Sequence, residues 1–87
     1  AALGELAVQA SDGLKEEEAA FRQLVRDFPE AIKYQASLAE NLVDQNKHAE
    51  AAKFLQQVLK HGTTYQQAQA SYQLARSALR QKKPEQA

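Results

Sequence analysis

The chain has 87 residues, 44% of them hydrophobic and 25% charged, no Cys and a formal net charge of zero. No disulfide framework or thiolate site is possible, the redox compartment stays open, and no apolar run approaches the roughly 18 residues of a membrane span. One small domain is the most such a length supports, and with no Met anywhere, residue 1 is not expected to be a translation start, so the chain reads as a piece of something longer.

The charge is unevenly spread. Glu5, Asp12, Glu16, Glu17 and Glu18 stand against Lys15 in residues 1–20, whereas Lys60, Arg76, Arg80, Lys82 and Lys83 stand against Glu85 in residues 60–87. Solvated helix faces account for such runs. That is the simpler reading; the sharper one is that opposite ends attract a partner, or each other head to tail.

Ala, Leu, Gln, Glu and Lys dominate and β-branched residues are scarce, which favours helix throughout. The punctuation predicts five helices and the start of a sixth. The first spans about Ala2 to Ala10 and ends at Ser11-Asp12-Gly13, where Gly suits a left-handed cap. A second begins near Lys15 with Glu16, Glu17 and Glu18 at the positive end of its dipole, and runs to Asp27-Phe28-Pro29. Pro29 suits the first turn of a third helix, Glu30 to about Gln45. A tight turn at Asn46-Lys47 leads to a fourth helix, His48 to His61, closed by Gly62. Thr63 or Thr64 then caps a fifth, with Thr64 and Gln67 at capping-box spacing. That helix runs to about Gln81, and Pro84 opens the first turn of a sixth.

Connections of two to four residues make successive helices antiparallel neighbours. The segment from Leu38 (LAENLVDQNKHAEAA) returns in part from Leu74 (LARSALRQKKPEQA), which points to one unit reused rather than to a four-helix bundle. Leu38, Ala39 and Leu42, the turn at Asn46, then Ala51, Leu55 and Val58 carry a pattern that resembles the tetratricopeptide repeat. Leu74, Ala75, Ala78 and Ala87 echo it, with Lys82 at the turn and Pro84 at the usual aromatic. Leu6, Ala7, Ala10, Gly13 and Leu24 echo it more loosely. The resemblance implies an all-α superhelix of stacked antiparallel hairpins in a single domain, with units at about 2–29, 30–62 and 63–87. The unit spacing, about 32 and then 36 residues, departs from the usual 34 of the family.

Catalysis finds little support. The serines lack a nucleophile-elbow motif, the triple Glu is a helix start, and no Gly-rich phosphate loop occurs. His48 and His61 are too far apart in sequence for a helical metal pair. The basic C-terminal end has no aromatic platform for nucleic acid. The expectation is therefore a non-enzymatic protein–protein interaction module with no cofactor, no metal, no nucleic acid and no membrane span. The resemblance implies a concave face lined by the first helix of each hairpin. On it the third helix would place Lys33, Ala36, Glu40, Val43 and Asp44, and the fifth Gln69, Tyr72, Arg76, Leu79 and Arg80. Gly4, Val8 and Ser11 would extend it. Among these, Lys33, Ala36, Glu40, Val43, Tyr72, Arg76, Leu79 and Arg80 form the candidate partner-binding groove, with Tyr72 as the main anchor. A subclass of these repeats clamps acidic chaperone tails with Lys, Asn and Arg, but the matching positions here are Gly4, Val8, Ser37, Gln69 and Gln73, so that ligand is not expected. The alternatives are a homo-oligomer through the C-terminal apolar stripe of Leu74, Ala75, Ala78 and Leu79, or a scaffold segment of a larger multi-subunit or secretion machine.

Overall fold

The structure, a computed structural model, describes the backbone of residues 2–86 and the side chains of residues 13–82. Four α-helices and no strand lie in that range: α1 (Ala2–Asp27), α2 (Ile32–Asp44), α3 (His48–His61) and α4 (Thr64–Gln86). The all-α class and the helix at His48–His61 are as expected. The count of five helices and part of a sixth is not.

Two breaks are missing. Residues 11–13 continue α1 without interruption, and no glycine among the described residues takes a positive φ. Breaking a helix there would strand four C=O groups on one side and four N–H groups on the other, whereas one interior Gly costs only about 1 kcal/mol. Continuing is the smaller penalty. Likewise α4 runs through Lys82-Lys83 and Pro84 to Gln86. So near a helix end, proline removes a single bond, the one to the carbonyl of Arg80.

The real corners are chemically explicit. After α1, Phe28 N–H still reaches the Leu24 carbonyl (2.9 Å) and Ala31 N–H bonds the Phe28 carbonyl (3.0 Å), so Pro29 sits inside a turn rather than in the first turn of α2. The Phe28 and Tyr34 rings, centroids 5.9 Å apart, pack across this corner. After α2, Asn46 takes φ 63°, Lys47 N–H bonds the Leu42 carbonyl (2.8 Å), and Asn46 N–H bonds the Val43 carbonyl (2.9 Å). That pair of bonds is a Schellman motif, and Asn is the non-glycine residue best suited to its left-handed position. Ahead of α4, Thr63 Oγ1 accepts from Gln66 N–H (3.2 Å) while Gln66 Oε1 accepts from Thr63 N–H (2.9 Å). The capping box therefore lies one residue earlier than Thr64-Gln67. Gln67 instead donates to the Leu59 carbonyl (2.9 Å), holding the end of α3.

The core consists of Leu38, Ala39, Leu42 and Val43 from α2, Ala51, Leu55 and Val58 from α3, and Ala70 from α4, all buried. Phe21 and Val25 pack onto it from α1. Within the described residues the α2 backbone packs against each of the other three helices and α3 also packs against α4, while α1 packs its backbone against α2 and reaches α3 through the Arg22–Glu50 pair. The molecule measures 44 × 33 × 19 Å, and its thinnest dimension is about two helix diameters. It is thus a two-layer arrangement, with α2 and α4 side by side.

Candidate functional site

The groove grows out of the α2–α4 pairing. Along its line Ala70, 2% exposed and part of the core that α2 and α3 share, is small enough to let helices approach. Larger side chains flank this line and leave a concavity of about 450 Å³, whose walls include Lys33, Ala36 and Glu40 from α2 and Tyr65, Gln69 and Tyr72 from α4. Tyr65 and Tyr72 stand two turns apart on α4 and are 71% and 62% exposed. The Gln69 amide donates to the Tyr65 hydroxyl (3.1 Å). Lys33 lies over the Tyr34 ring, 5.2 Å from its centre, a cation–π arrangement that steadies its stem. One cation, one carboxylate, amides and two phenols line the groove, which therefore carries no strong charge of either sign.

Four of the eight candidate residues, Lys33, Ala36, Glu40 and Tyr72, meet in this groove. The other four go elsewhere for identifiable reasons. Val43 is fully buried in the core and offers no surface. Arg76 donates to Asp44 (2.5 Å) and to Gln73 (2.9 Å). The Asp44 hydrogen bond holds the guanidinium charged to a pH above its already high ordinary value. Arg80 donates to the Val43 carbonyl (3.0 Å) and to Asn46 Oδ1 (3.3 Å). Both arginines thus fasten α4 to the C-terminal end of α2, where the second lone pair of a capped carbonyl, the Asp44 carboxylate and the negative dipole end favour cations. Leu79, 70% exposed, projects from the α4 surface turned away from the core. Gly4, Val8 and Ser11 lie outside the side chains described.

Tyr65 lies outside the eight candidate residues, although its seven-residue offset from Tyr72 is a signal present in the sequence. Gln66 and Gln73 also line the groove, and ordinary amides announce nothing in a Gln-rich chain.

A second polar cluster joins α1 to the α2–α3 turn. Glu18 accepts from Arg22 (2.7 Å), Gln45 (2.9 Å) and Lys47 (3.0 Å), while Arg22 also reaches Glu50 on α3 (2.5 Å). The Gln45 hydrogen bond, opposed by partial desolvation and reinforced by Arg22 and Lys47, lowers the Glu18 carboxyl from the usual 4.5 to about 2. Nearby, buried Asn41 donates to the Leu14 carbonyl (2.9 Å) and accepts from Gln45 (2.7 Å). Every member is satisfied within the protein, so the cluster is a structural tie rather than a reactive centre. His48 Nδ1 and Ser77 Oγ lie 2.6 Å apart, a pairing from which nucleophiles are made. Ser77 is only 5% exposed and also accepts from Gln81 (3.3 Å), so the pair pins α3 to α4 away from any substrate.

Among the described residues no group of three or more His, Cys, Asp or Glu is placed to hold a metal ion, and no helix is long and apolar enough to cross a membrane. Compared with protein-family models, curated proteins and solved structures, the chain matches none.

Proposed function

We propose that the chain is a non-enzymatic helical-repeat module, of the tetratricopeptide kind its sequence resembles, that binds a peptide or helix of a partner protein in the α2–α4 groove. The observation that carries this reading is the concavity of about 450 Å³ flanked by two largely exposed tyrosines. An exposed phenol has a large apolar ring with a polar tip, the chemistry typical of interface anchors. The near-neutral lining favours a ligand with little net charge, held by main-chain hydrogen bonds to the glutamines and by ring contacts.

The test is a peptide-array screen with wild type and Tyr72→Ala, followed by titration of the best ligands. Loss of Tyr72 should weaken binding roughly 10- to 100-fold, the 1.4–2.8 kcal/mol range of an interface anchor, with helix content by circular dichroism unchanged. Equal affinity for Tyr72→Ala and for Glu40→Lys would move the site out of this groove.

A further inference from the structure

The face of α4 opposite the core differs from an ordinary solvated helix face. Ala68, Ser71, Ala75, Ala78 and Leu79 are exposed there, and Lys82 is the one charged residue among them. The outward side of α1 is of another kind: Glu16, Glu17, Ala19, Ala20, Gln23 and Arg26 are all exposed. We propose that a second copy of this chain lays its α1 antiparallel along this α4 face, so that copies join head to tail.

Charge and size match along the pairing. Lys82 of one copy meets Glu16 of the next, Leu79 fills the shallow place left by Ala19 and Ala20, and Tyr72 at the edge of the face meets Arg26. Ten residues separate Lys82 from Tyr72, and ten separate Glu16 from Arg26, so both contacts form together about 15 Å apart on each helix. The pairing follows the opposite charge of the two ends of the chain, with acids dominating residues 1–20 and bases residues 60–87. It also repeats what the molecule does internally, where Lys47 and Arg22 bridge neighbouring helices through Glu18 and Glu50. An isologous α4–α4 pair lacks this complementarity, because the charges on α4 between Thr64 and Lys82 are all positive. A head-to-tail contact uses different surfaces on the two copies, so it propagates beyond two unless a ring closes. This surface lies on the other side of α4 from the groove floor; Tyr72 alone borders both, and neither Leu79→Glu nor Ala20→Arg alters a groove residue.

The experiment is light scattering over a concentration series with wild type, Leu79→Glu and Ala20→Arg. Wild type should exceed twice the 9.7 kDa chain mass at high concentration, and should fall back in high salt, where exposed ion pairs are screened. Each variant alone should stay at the mass of one chain. Mixed, they should form a species of twice 9.7 kDa and no larger, because each supplies the face the other has lost. That rescue also requires both variants to be folded. A wild type that stays at one chain mass throughout overturns the proposal. So does assembly that survives Ala20→Arg but not Leu79→Glu, since α4 would then be pairing with something other than α1.

Discussion

Gly13 and Gly62 show how differently two glycines serve one chain. A Cβ built on Gly13 meets nothing within 4 Å, and the residue lies inside α1. Gly13→Ala should therefore stabilise the protein by about 1 kcal/mol, raising the thermal midpoint; a lower midpoint would mean that the chain needs glycine there after all. At Gly62 the backbone is extended, φ −82°, and open to any residue. Space is the obstacle: a Cβ would lie 2.6 Å from the Val58 carbonyl oxygen, which is backbone and cannot swing aside. Gly62→Ala gains about 0.4–1 kcal/mol from a stiffer unfolded chain and loses about 1–3 kcal/mol to overpacking. Destabilisation should win, seen as a lower urea midpoint. Both glycines were legible in the sequence as helix terminators. Only the three-dimensional surroundings separate the one that ends a helix from the one that does not.

For whole elements, what could be read was the repeating Leu and Ala spacing of α2 and α3 and the short turn between them. Leu38, Ala39, Leu42, Ala51, Leu55 and Val58 are indeed core. The joints between elements were hidden, because side chains 27 to 37 residues apart make them: Glu18 with Gln45, Asn41 with Leu14, Arg80 with Val43. No local pattern encodes such partnerships. The Glu18 tie has a pH signature. Its folded pKa of about 2 lies below the usual 4.5, so its contribution is complete above about pH 4.5 and declines as pH falls toward 2. In Glu18→Gln the acid-side loss of stability between those values should be shallower than in wild type, measured by urea unfolding at stepped pH. Parallel curves would mean that other carboxylates govern the acid limb.

At the level of the whole molecule, half of the candidate groove was readable from sequence, since Lys33, Ala36, Glu40 and Tyr72 fall on facing sides of α2 and α4. The rest was misplaced because helical spacing identifies a face but not its neighbour. Val43 shares a stripe with groove residues yet turns into the core. Arg76 and Arg80 are drawn to the end of α2 by the Asp44 carboxylate and by the Val43 carbonyl.

Because the α2 backbone packs closely against all three other helices, it should be the last part of the protein to open. Its central amides should exchange with deuterium most slowly, at rates set by global unfolding, while those of α1, whose backbone packs on α2 and which reaches α3 only through the part-exposed Arg22–Glu50 pair, exchange sooner through partial detachment. Uniform protection across both helices would show one indivisible cooperative unit. A graded pattern would mean that the acidic arm can swing free while the groove stays intact.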